Sequence, residues 1–111
     1  MITLPWPPKE LSPNARVHWA VRHKAAKSYK SACGWQAAQA KVSIPDEGDI
    51  ELLITFYPPD SRKRDDDNVI GSLKSGRDAI ANIWGVDDNR FKPKYKWGPC
   101  VKGGKITVEV I

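Results

Sequence analysis

The chain has 111 residues, 41% hydrophobic and 28% charged, a globular balance and not a disordered one, with room for a single domain over residues 1–111 but too little for two. No apolar run approaches a membrane span and the opening residues lack the basic start of an export signal, so a cytoplasmic protein with no membrane partner is expected. The net charge of +5 favours a polyanionic partner, nucleic acid first.

Ile2 to Leu4 are β-prone and end in Pro5-Trp6-Pro7-Pro8, an extended arm anchored by Trp6. Ser12-Pro13-Asn14 is turn chemistry. From about Arg16 to Lys41 there is no proline and alanine is abundant, which predicts the first long helix. Tyr29, Ala32, Cys33 and Gln36 trace a stripe on it, with Trp35 beside them. Its first half carries Arg16, Arg22, Lys24, Lys27 and Lys30. That half reads either as a solvated helix face or as a face for backbone phosphates. Two isolated cysteines, Cys33 and Cys100, are expected to be reduced thiols, and His18 and His23 alone are too few for a zinc site.

Ile44-Pro45-Asp46-Glu47-Gly48 turns the chain. Ile50, Leu52, Ile54 and Phe56 then alternate with Glu51, Leu53, Thr55 and Tyr57, a period-two strand that Pro58-Pro59 stops. Next comes the densest charge in the chain: Arg62, Lys63 and Arg64 run into Asp65, Asp66, Asp67 and Asn68. Three adjacent carboxylates repel one another and need a reason. One is a helix start, because Asp and Asn cap well and negative charge suits the first turn. Another is a divalent cation such as magnesium, with the three flanking bases suited to an anionic substrate. If residues 60–67 run extended, Asp65 and Asp67 point to one side and Asp66 to the other.

A second helix is expected from about Asp67 or Asn68 to Trp84, with Val69, Ile70, Leu73, Ile80, Ile83 and Trp84 on one stripe and Gly85 ending it. On a continuous helix Lys74 shares a face with Asp67, where it either steadies a phosphate or is an ordinary exposed lysine. Asp87-Asp88-Asn89 forms a turn beyond the helix. A helix of that length spans about 25 Å, so spacing alone does not bring Asp88 back to the cluster. A folded-back loop or a second copy of the chain is required for that. Phe91, Tyr95 and Trp97 alternate with Lys92, Lys94 and Lys96 in an edge strand marked by Pro93. Gly103-Gly104 reads as a hairpin turn before a last strand through Ile106, Val108 and Val110. The order β-α-β-α-β-β gives an α+β fold, two helices packed on a four-stranded mixed sheet.

Metal-bound carboxylates beside basic residues are the usual apparatus for cutting a phosphodiester. Three functions fit: a metal-dependent nuclease on branched DNA, a noncatalytic basic DNA-binding module, and a structural domain whose acids only cap a helix. The binding module needs the basic first helix and the Lys92, Lys94, Lys96 face but not the aspartates.

The chain resembles the RusA-type Holliday junction resolvases. The likeness rests on Ile2-Thr3-Leu4-Pro5-Trp6-Pro7-Pro8, on Ser12-Pro13-Asn14-Ala15-Arg16 with His18-Trp19, on the basic run into Asp65-x-Asp67-Asn68, on Trp84 ahead of Asp87-Asp88, and on Lys102-Gly103-Gly104 before the final strand. It implies a RusA-like fold and a homodimer that binds four-way DNA junctions by shape. It also implies symmetric paired incision with magnesium or manganese, in DNA recombination and repair. The family's catalytic, metal-holding aspartates carry over onto Asp65, Asp67 and Asp88. Its catalytic lysine falls where this chain has Gly71, and Lys74, about one helical turn on, takes that role in this reading. DNA contacts are then expected from Arg16, Arg62, Lys63, Arg64, Lys92, Lys94 and Lys96.

Overall fold

A computed structural model describes residues 1–111. The elements in chain order are β1 (Ile2–Pro5), α1 (Trp19–Gln39), β2 (Ile50–Tyr57), α2 (Asp66–Ser72), α3 (Lys74–Trp84), β3 (Phe91–Trp97) and β4 (Lys105–Val110). Short 3-10 turns occupy Lys9–Leu11 and Asp88–Arg90. The α+β class and the four-stranded mixed sheet are as the sequence predicts, but there are three helices and not two.

The extra helix comes from a break at Leu73, whose φ of −84° and ψ of −9° end α2 and open α3. Two local causes act there. The Ser72 hydroxyl donates back to the Asn68 carbonyl at 2.8 Å, a bond that bends helices. Gly71 meanwhile lets Pro13 press against the backbone, with a Cβ at that position falling only 2.7 Å from Pro13 Cγ. The first helix is also shorter than its alanine-rich stretch. His18 caps it by accepting from the Ala20 N–H at 3.1 Å, and Ala40 is already extended. Its buried stripe is Tyr29, Cys33 and Ala37, four residues apart, whereas Ala32, Gln36 and Trp35 are exposed. Cys33 is buried and Cys100 exposed, and neither is in a disulfide.

The sheet order is β1-β4-β2-β3. β2 and β3 are parallel, joined by the α2–α3 crossover, and β4 is antiparallel to both β1 and β2. The Gly103-Gly104 turn is therefore not a β3–β4 hairpin, because those strands lie on opposite sides of β2. The connection passes the end of β2 instead, where Gly98 N–H donates to the Phe56 carbonyl and Val101 N–H to the Pro58 carbonyl, each at 2.9 Å. Gly103 and Gly104 take the left-handed φ values of 80° and 70° that this path needs. Pro93 sits on the edge strand, where its missing N–H costs no ladder bond.

Alternation puts Ile2, Leu4, Ile50, Leu52, Ile54, Phe56, Phe91, Ile106 and Val108 on one face of the sheet, all buried with the helices. Tyr29 ties α1 to that layer by donating to the Pro5 carbonyl at 2.7 Å. Its burial holds the phenol protonated far above any ordinary pH, and burial pushes the neighbouring Cys33 thiol up to about 11. The other face of the sheet bears Thr3, Glu51, Lys92, Lys94 and Lys96, all exposed. No helix is long and apolar enough to cross a membrane.

Candidate functional site

The loop leaving β2 is fastened by Asp60. Its Oδ1 accepts from the Arg62 N–H at 3.0 Å and from the Arg64 guanidinium at 2.7 Å. Arg64 also donates to the Asp60 carbonyl at 3.0 Å and the Arg62 carbonyl at 2.9 Å, and lies 5.7 Å over the Trp6 ring. Arg64 is thus a loop organiser, with 14% of its side chain exposed, and is not free to meet a phosphate as the sequence suggested. Arg62 and Lys63 are exposed, and Arg62 Nε stands 4.0 Å from Asp60. The Arg62 N–H, then the Arg64 guanidinium, hold the Asp60 carboxyl below its usual 3.8. A lowered pKa stabilises the loop above 3.8 and loses that contribution as the pH falls through the folded value. A pH titration of tryptophan fluorescence is expected to show a transition below 3.8 that Asp60→Asn abolishes.

Asp65 is the cap of α2. In extended backbone, its Oδ1 accepts from the Asp67 N–H at 2.9 Å and the Asn68 N–H at 3.3 Å. Its Oδ2 takes no hydrogen bond. Asp66 and Asp67 already belong to the first turn and are exposed, where their charge suits the helix dipole. The helix thus begins earlier than predicted, and Asp65 and Asp67 do not alternate on an extended segment. Capping instead folds the Asp65 carboxylate over the Asp67 backbone N–H. Beside Asp65 runs a groove of about 360 Å³ lined by Trp6, Pro8, Lys9, Arg62, Asn68 and others.

Asp88 lies elsewhere. Asp87 caps the turn there by accepting from the Asn89 N–H at 2.9 Å, and Asp88 is half-buried. Arg90 fastens the same turn to the chain ahead of β2, donating to the Gly48 carbonyl at 2.8 Å and the Pro45 carbonyl at 2.7 Å. The parallel register matches Ile50 with Phe91 and Phe56 with Trp97. Asp88 therefore sits at the start of β2, while the Asp60–Asp67 loop leaves its end, roughly 20 Å along the strand. No three His, Cys, Asp or Glu side chains within one chain are grouped to hold a metal ion.

Lys74 opens α3, with 74% of its side chain exposed and its Nζ 3.7 Å from Asp78 Oδ1. With the break at Leu73, Lys74 and Asp67 belong to separate helices and not to one continuous one. Lys92, Lys94 and Lys96 are exposed on the sheet face away from the helices, and Arg16 is exposed ahead of α1. Sequence reasoning missed Asp60, although the Asp60-x-Arg62-x-Arg64 spacing after two prolines was a usable sign of a self-clamped loop.

No family model matches the chain. It is 48% identical over 93 residues to an uncharacterized protein of Xylella fastidiosa (strain Temecula1), an alignment covering 81% of this chain. The match takes in 61% of that relative, so the chain spans about three fifths of the relative's length.

Proposed function

We propose that the chain is a metal-dependent endodeoxyribonuclease that resolves four-way DNA junctions as a homodimer of RusA-like fold. The observation that carries this reading is the division of labour at Asp65. One oxygen caps α2 and the other is uncommitted, beside exposed Asp67 and a groove edged by Arg62 and Lys9. Magnesium is commonly held by one or two carboxylates, with water and substrate phosphate completing the shell, and this donor set fits that habit. Asp65 and Asp67 would hold the ion, which when bound polarises a phosphodiester and activates water. Arg62 and Lys63, both unburied, draw the phosphate backbone toward the groove.

Asp88 joins such a site only from a second copy, since its own chain keeps it at the other end of the sheet. Co-expression of Asp67→Ala and Asp88→Ala chains tests this directly. In a mixed dimer with shared sites, one site has both substitutions and the other has none. The mixture is expected to nick one strand of a labelled junction with magnesium or manganese, while each variant alone is inactive. If wild type makes paired nicks and the mixture makes none, the site is not shared. If wild type binds but never nicks with either metal, the nuclease reading falls.

One observation favours a second reading, a noncatalytic DNA-binding module: Asp65 has a complete structural role as a cap, and no three-ligand group exists in one chain.

A further inference from the structure

The basic charge of α1 has no acidic counterpart nearby in sequence. From Leu11 to Pro45 the chain contains no aspartate or glutamate, yet it carries Arg16, Arg22, Lys24, Lys27, Lys30 and Lys41. Arg22 is spent internally, donating to the Ser12 and Ala15 carbonyls at 3.1 and 2.7 Å. Lys24, Lys27 and Lys30 are exposed and make no salt bridge. They follow one another at three-residue intervals, where like charges are close neighbours and destabilise a helix. Lys24 and Lys27 lie in the half of α1 nearer its N-terminus and Lys30 just past its midpoint, and no acidic side chain occupies the first turn. Exposed Trp19 and Trp35 stand on the same helix. Uncompensated repulsion, without an acidic neighbour in sequence, is relieved by an external polyanion.

The fold gives this half of the helix an address. Tyr29 is bonded to the end of β1, whose Pro5 pairs with Lys105, and Lys105 with Tyr57 at the end of β2. Arg22 and Ala26 border a small cleft with Gly71, Ser72 and Lys74. The basic half of α1 thus lies at the end of the molecule from which the Asp60–Asp67 loop departs. Lys92, Lys94 and Lys96 project from the opposite, helix-free face of the sheet.

We propose that the Lys24-Lys27-Lys30 ridge of α1 is the docking surface for a duplex arm of the DNA substrate, gripping backbone phosphates beside the aspartate groove. This rests on the DNA-directed reading above, but its test needs no cleavage. Fluorescence anisotropy of a labelled junction and a linear duplex, without divalent metal, would be recorded across a salt series. The variants are Lys24→Gln/Lys27→Gln/Lys30→Gln and, for comparison, Lys92→Gln/Lys94→Gln/Lys96→Gln, with circular dichroism confirming that each folds. The α1 variant is expected to lose about two to three units from the slope of log affinity against log salt, roughly one per phosphate contact. Unchanged slope and affinity in the α1 variant overturns the proposal, and a loss confined to the β3 variant assigns docking to the sheet face. A wild type that binds with this slope but never nicks leaves the ridge standing and removes the nuclease. Paired nicking with α1-variant binding unaltered does the reverse.

Discussion

On the proposed nuclease reading, Asp67→Ala is expected to lower junction nicking by about a hundredfold or more, while unfolding stability stays within about 0.5 kcal/mol of wild type. The two halves of that result come from one hydrogen-bond pattern. Asp67 contributes its backbone N–H to the cap, and alanine keeps that N–H. Its carboxylate makes no hydrogen bond or salt bridge and is exposed. Asp65→Ala behaves differently, losing activity together with roughly 1 kcal/mol of stability, because there the side chain itself is the cap. Parallel urea denaturation and nicking assays read both quantities. If Asp67→Ala cuts like wild type, the acidic cluster is only a helix start.

Phe56→Ala is expected to be the most damaging core substitution, at about 3–5 kcal/mol, a large part of the 5–15 kcal/mol that folded domains possess. Phe56 is fully buried at the end of β2. Its ring stacks on Trp97 at 4.8 Å and Tyr95 at 5.9 Å and meets the edge of Trp6 at 6.3 Å. Trp6 in turn carries the Arg64 guanidinium and borders the groove. On the proposed DNA-directed reading, the loss should extend to DNA binding at temperatures well below the melting point, which anisotropy would detect. Unaltered binding by the folded variant would show that the groove does not depend on this aromatic cluster.

The elements were legible where a single period ran undisturbed. β2 and β3 alternate cleanly, and alanine content marked α1. What failed depended on contacts between distant residues. Leu73 breaks the second helix because Ser72 bonds back to Asn68 while Pro13 crowds Gly71, and neither is visible in an apolar stripe. Of the expected α1 stripe, Tyr29 and Cys33 are buried but Ala32 and Gln36 are exposed and Ala37 replaces them, because burial followed the side of α1 that α3 and β1 cover. Gly103-Gly104 has hairpin composition, but composition does not name the strand that pairs next. At the site, the cap was legible in type and off by one or two positions. The capture of Arg64 by Asp60 and Trp6 was not legible, because it depends on where the β1 arm lies.

The parallel pairing of β2 with β3 has a consequence for how incision depends on concentration. It separates Asp65 and Asp88 by the length of a strand, so on the proposed shared site a solitary chain has no complete set of aspartates. Below the dissociation constant of the dimer, the nicking rate should then fall as the square of protein concentration. A single chain sliding on intact chromosomal DNA would be silent, and scission would be confined to places where two chains meet.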